Sequence, residues 1–348
     1  MGLRTSTGNG NYVGRTCCVF ALVCVAALQP AAGQNFTVQD LGTLSNGFVS
    51  VARGINDRGD VVGDSETNGL FQPHAFLAKQ GSMVDLSTLP GGDFSEATSI
   101  NSRGEIVGFS GATARFEFAV SVSDGAMVSM GTLPGGRDSR AFAINDHGQV
   151  VGDAITANQQ RHAFLSEHGV MTDLGTLPGG TSSSATGINT LGQIVGSSDT
   201  ASKATHAFLF DKGVMTDLGT LPGGTSSSAT AINKQGQIVG SADTASGATH
   251  AFLFDKGAMT DLGTLPGGTS SSATGINDRG QIVGSSSTTN SSGHAFLFDN
   301  GVMIDLGTLP GGNLSQALGI NNSGMVVGSS TATGKLSHAV LWTGKGAK

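Results

Sequence analysis

The chain has 348 residues, 55 of them Gly, with 12% charged and 5% aromatic residues. Globular chains carry about 7% Gly and about 25% charged residues, yet 38% hydrophobic content is enough for a packed core, which argues against general disorder. No Gly-x-y triplet runs along it, which excludes collagen. A formal charge of −7 with no basic stripe argues against a nucleic-acid partner.

In chain order, an export segment comes first. Arg4 and Arg15 precede an apolar run over residues 17–28, too short to span a bilayer as a helix. Ala31 and Gly33 then supply the small residues of a signal-peptidase site. Residues 1–33 therefore read as a signal peptide and residues 34–348 as one mature domain. A buried core helix is the alternative, but it gives no reason for the basic flank. A lipid-attachment site would want a small residue directly before Cys24, where Val23 stands. Cleavage would remove Cys17, Cys18 and Cys24, leaving a secreted chain held by its core alone. No later run is apolar enough to insert in a membrane. The expected location is extracellular, with a periplasmic location left open, and the expected state is a monomer.

After the leader, one unit recurs at a 44-residue step. A His-Ala-Phe marker starts at His74, Phe118, His162, His206, His250, His294 and His338. Leu-Pro-Gly-Gly starts at Leu89, Leu133, Leu177, Leu221, Leu265 and Leu309. Ile-Asn starts at Ile55, Ile100, Ile144, Ile188, Ile232, Ile276 and Ile320, with one extra residue in the first interval.

Within a unit the pattern predicts four strands, at 184–189, 193–197, 206–211 and 214–218. Asn189-x-x-Gly192 is a type I hairpin turn closed by a Gly at positive φ. The Pro-Gly pair of Leu-Pro-Gly-Gly suits a type II turn into the next unit. Four strands in about 44 residues is a β-propeller blade, so the fold expected is all-β, a seven-bladed β-propeller. The last unit lacks its fourth strand, and an orphan fourth strand, residues 36–41, begins the mature chain. The N-terminal strand should complete the last blade and close the ring.

Six units place His at the start of strand three and Asp near the end of strand four. The expected pairs are His74 with Asp85, His162 with Asp173, His206 with Asp217, His250 with Asp261, His294 with Asp305, and His338 with Asp40. Both partners are lost together in unit two, where Phe118 and Ser129 stand. A His–Asp hydrogen bond across the outer hairpin, opposite or diagonal, explains that co-loss. A metal or catalytic role for these His fits poorly, because equivalent positions on successive blades lie too far apart to share an ion. Neither a metal nor a cofactor is expected, and no catalytic residue is assigned.

Loops between strands two and three lie on the face of the Leu-Pro-Gly-Gly turns and differ most between units. They are the candidate ligand-binding loops, with Asp64, Glu66 and Asn68 in unit one, Asp153, Asn158 and Arg161 in unit three, and Asp199 and Asp243 in the middle units. Unconstrained drift is the alternative reading. Glu96 is the single acid on a first strand. Asn-x-Ser/Thr sequons stand at Asn35, Asn290, Asn313 and Asn321.

These motifs resemble the HAF-repeat family of extracellular bacterial repeat proteins. The resemblance rests on His-Ala-Phe, on Asp-Leu-Gly-Thr-Leu-Pro-Gly-Gly, and on Ile-Asn-x-x-Gly-x-Ile/Val-Val-Gly, over about residues 36–344. Departures are Phe118, Ser129, and Ser45-Asn46-Gly47 in place of Pro-Gly-Gly. The resemblance implies secretion and a repeat fold and carries no catalytic residue over. The function expected is a non-catalytic binding or surface scaffold for an extracellular glycan or protein. One alternative is a carbohydrate-active hydrolase or lyase using Glu96, Asp64 and Glu66, which clustering of these carboxylates would favour. A structural matrix protein is the other.

Overall fold

Each blade is built by small and β-branched residues punctuated by Gly turns. In the fourth blade the strands are Ser183–Ile188, Ile194–Asp199, Thr205–Asp211 and Val214–Asp217. Strand one stops before Asn189 because that residue leaves the ladder to make the turn. Its Oδ1 accepts the N–H groups of Leu191 and Gln193 at 3.0 Å each, and Gly192 closes the turn at φ 77°. On strand two a Cβ at Gly196 would collide with the Ser184 carbonyl, so only Gly lets the two inner strands approach there.

The computed structural model describes residues 1–2, 36–45, 47–67, 70–112, 116–123, 125–289, 292–334 and 336–344. The expected signal peptide, its first two residues apart, lies outside them, as do Asn35, Asn68 and Asn290. The described strands form seven four-stranded antiparallel sheets and no helix: the protein is a seven-bladed β-propeller. Blades 1 to 6 span residues 50–85, 95–129, 139–173, 183–217, 227–261 and 271–305. Blade 7 combines residues 315–344 with the N-terminal strand Phe36–Gly42, whose Val38 lies opposite Trp342. The ring is therefore closed by its own beginning.

Apolar side chains fill the spaces between blades. Phe76, Phe164, Phe208, Phe252 and Phe296 are fully buried, each contributing about 1.5–3 kcal/mol of burial. Polar fasteners cross the same interfaces. The Ser opening each first strand accepts an N–H from strand three of the preceding blade, as in Ala163 N to Ser183 Oγ at 2.8 Å. Ala339 N to Ser50 Oγ, also 2.8 Å, carries this link across the closure.

A second fastener is a complete cycle around the axis. Asn56 Nδ2 donates to the Asn101 carbonyl, and so on through Asn145, Asn189, Asn233 and Asn277 to Asn321, whose Nδ2 returns to the Asn56 carbonyl at 3.0 Å. Each Asn is 3–5% exposed. The hairpin asparagines thus join neighbouring blades as well as shaping their own turns. The sequon at Asn321 is accordingly buried and its amide nitrogen engaged, whereas Asn313 is exposed.

Candidate functional site

The propeller has two unlike faces. One carries the Asn turns and is closed over by the asparagine cycle, leaving a shallow cup of about 240 Å³. At its rim Asp57 accepts from Asn322, Asp146 from Ser102, and Asp278 from the Lys234 backbone, so these acids serve neighbouring turns. The other face carries the Leu-Pro-Gly-Gly turns and the starts of the first strands, and here the blades differ.

A β-bulge sets up the difference. In every blade the pairing of strands one and two shifts by a residue at the same place, as between Ala185 and Gly187. The bulged residue is Thr98, Thr186, Thr230 or Thr274 in blades 2, 4, 5 and 6, and its hydroxyl reaches the next blade, as in Thr186 Oγ1 to the Ala229 carbonyl at 2.9 Å. In blades 1, 3 and 7 the slot holds Arg53, Phe142 and Leu318.

Arg53 bonds Asp64 of its own blade through Nε and Glu96 of blade 2 through Nη2 at 2.8 Å. Arg140, at the start of blade 3, holds Asp153 with two bonds of 3.1 and 3.2 Å and lies 3.7 Å from Glu117. Arg161 grips Asp153 and also Asp138 at 3.2 Å, and Ser184 of blade 4 adds a hydroxyl to Asp153 at 3.1 Å. Burial pushes the Asp64 and Glu96 carboxyls above the usual range, and Arg53 recovers only part of that. Burial also works against charge on Arg53, but Asp64 and Glu96 outweigh it and hold the proton.

Aromatic rings accompany these charges. Phe48 is 60% exposed beside the start of blade 1. Phe94 meets Phe109 edge to face at 6.4 Å. Arg137 lies 5.7 Å over Phe116, and Arg140 lies 5.4 Å over Phe142. Blades 4 to 6 carry Thr181-Ser182, Thr225-Ser226 and Thr269-Ser270 where blades 1 to 3 carry Phe48-Val49, Asp93-Phe94 and Arg137-Asp138.

The sequence-expected binding residues fall into three groups. Asp64, Asp153 and Arg161 belong to the charged network. Glu66 lies two residues beyond Asp64 on the same strand, its backbone N–H bonded to the Val49 carbonyl, and of the three acids Asp64 and Glu96 are the two that share Arg53. Asp199 accepts both backbone N–H groups of Thr181 and Ser182, each at 2.7 Å, and Asp243 takes the same slot near Thr225. Although partial burial opposes charge on Asp199, these bonds hold its carboxyl below the usual range. Asp199 and Asp243 are thus fasteners of the turns beside them. Asn158 is exposed, on a tight turn closed by Thr156 and Gln160.

The six His–Asp pairs sit on the outer hairpins, with Nδ1 to carboxylate distances of 2.8–3.0 Å. They are diagonal, because Asp217 lies opposite Phe208 and not His206. Each of these Asp also accepts the backbone N–H two residues on, as in Gly219 N to Asp217 Oδ1 at 2.7 Å. Residues not expected from sequence are Arg53, Arg140, Glu117 and Asp138, with Phe48, Phe94, Phe116 and Phe142. The signal for them was their departure from the repeat at fixed positions.

No protein-family model and no curated protein matches the chain. Among solved structures it is similar to the β-propeller domain of the Trilobed protease from Pyrococcus furiosus, with TM-score 0.58, 9% identity, and 85% of this chain and 96% of that chain covered. That propeller is described as having an open velcro topology, whereas here the first strand seals the last blade. A puromycin-hydrolyzing peptidase from Mycobacterium tuberculosis gives TM-score 0.56 at 11% identity, covering 85% of this chain and 52% of that one. An acylaminoacyl peptidase from Pyrococcus horikoshii gives 0.52 at 12%, covering 87% and 52%. The chain spans about half the length of these two peptidases. At such identities the likeness is one of fold alone, that of a β-propeller.

Proposed function

We propose that the protein is an exported, non-catalytic binding module of HAF-repeat type, and that it binds glycan through the Leu-Pro-Gly-Gly face of blades 1 to 3. The observation that carries this reading is the joint placement of aromatic rings and ion-paired Arg and carboxylate groups on that face. Ring faces suit the apolar faces of sugars, and fixed charged groups suit hydroxyls. Ion pairing holds the polar groups in place before a ligand arrives, which lowers the ordering cost of binding. The test is a glycan array probed with the chain from residue 34 onward. Discrete hits that vanish in the double variant Phe48→Ser, Arg140→Ala support it; an array without hits overturns it.

A second reading, a carbohydrate-active hydrolase or lyase, is favoured by one observation. Asp64 and Glu96 share Arg53 and both carboxyls are pushed up, so one can hold the proton of a general acid while the other serves as the ionised base or nucleophile. Mass analysis of array-positive glycans after incubation decides it. Cleavage by the native chain that Glu96→Gln abolishes supports this reading, and intact glycans contradict it.

A further inference from the structure

On the opposite face, the interface between blades 2 and 3 holds a groove of about 430 Å³. Its origin is visible in the repeat. Six blades have Leu at the fourth position of the His-Ala-Phe strand, facing the next blade, and four have an aromatic ring at the fifth, facing the preceding blade. These meet at the interfaces: Leu165 with Phe210, Leu209 with Phe254, Leu253 with Phe298, and Leu297 with Trp342 each join one apolar cluster. At the blade 2 to blade 3 interface both are missing. Ser121 replaces Leu and Ser166 replaces the ring, and the two serines line the groove from opposite walls.

What remains is an apolar floor of Ile106, Val107, Ile144 and Val150, with Glu105 and His168 at the edge. The groove is open and mixed, with serine hydroxyls beside the aliphatic side chains, a lining that suits a flat ring carrying a polar group. We propose that this groove binds a small aromatic ligand, a single ring or an indole carrying one polar substituent directed toward Glu105 and His168. The occupant is set by the sister interfaces, which fill the same place with benzyl or indole groups from the chain itself. The site is on the other face from the glycan surface and does not depend on it.

The test uses indole and 4-methylphenol with the chain from residue 34 onward, read by calorimetry and ligand-observed NMR. The expected result is saturable one-to-one binding with a dissociation constant at or below about 1 mM. Ser166→Phe and Ser121→Leu, which restore the residues of the sister blades, should each weaken it at least about tenfold. Ala78→Phe, which fills the corresponding place between blades 7 and 1, should leave it unchanged. If Ser166→Phe does not fold, Ser121→Leu decides. Binding that fails to saturate, or that survives these fillings, overturns the proposal.

Discussion

Blades 4 to 6 and blades 1 to 3 share a backbone but differ where they face the axis. In the first group the inner positions are Ser and Thr, and the bulged Thr hydroxyls fasten one blade to the next. In the second group two of those fasteners are exchanged for Arg53 and Phe142, and charges and rings collect around them. The asparagine cycle and the serine links pass through both groups without a break. Scaffold and variable surface are therefore carried by different columns of the same repeat. A propeller can change one without losing the other.

The fasteners common to both groups should have the largest effects. Removing residues 36–42 takes away the strand that pairs with the last blade and leaves an open edge. We expect a melting temperature lower by at least about 10 °C and a red-shifted emission from Trp342, which is fully buried in the closed ring. An unchanged spectrum and melting point would contradict ring closure as a source of stability. Next, Asn145→Ala in blade 3 and Asn189→Ala in blade 4 each leave a buried carbonyl without its amide donor and remove the acceptor for two turn N–H groups. Each should cost about 2–4 kcal/mol by urea titration. Equal losses would sharpen the view that the scaffold is uniform, and a clear difference would break it.

A smaller effect is specific to the diverged group. Arg53→Ala strands Asp64 and Glu96, whose side chains are 12% and 22% exposed, and should cost about 2 kcal/mol at pH 7. The sign with pH follows from the raised carboxyls. A folded-state pKa above the unfolded value means that the folded protein takes the proton more readily, so stability falls as pH rises through the folded pKa. The loss should shrink as the medium is acidified into the upper carboxylate range. A pH-independent loss in denaturation curves would remove the electrostatic explanation. The smallest effect belongs to the outer hairpins. The Asp217 side chain is 42% exposed, so His206→Ala should cost no more than about 1 kcal/mol.

Much of the architecture was legible because a 44-residue step leaves few alternatives, and because the orphan strand at residues 36–41 matches the strand missing after Trp342. The interblade fasteners were not. Asn189 explains itself locally as a turn residue, and nothing near it in the chain shows that its amide reaches the carbonyl of Asn233, 44 residues on. Asp199 stands among the candidate ligand-binding loop residues in the sequence, but the chain folds the Thr181 and Ser182 N–H groups onto it. The charged network of blades 1 to 3 was only half legible for a related reason. Asp64, Asp153 and Arg161 stand out in the sequence as charged residues in variable loops, and they are members of that network. The β-bulge that aims Arg53 and Phe142 inward is set by backbone pairing and has no sequence mark beyond the exchange of Thr.

The central claim is that the diverged blades form the binding surface. Backbone hydrogen exchange of the chain from residue 34 onward, with and without the strongest array glycan, tests it most directly. The account predicts slowed exchange at residues 48–53, 93–98 and 137–142, with residues 181–186, 225–230 and 269–274 unchanged. Protection centred on the Ser/Thr blades, or spread evenly around the ring, would contradict it.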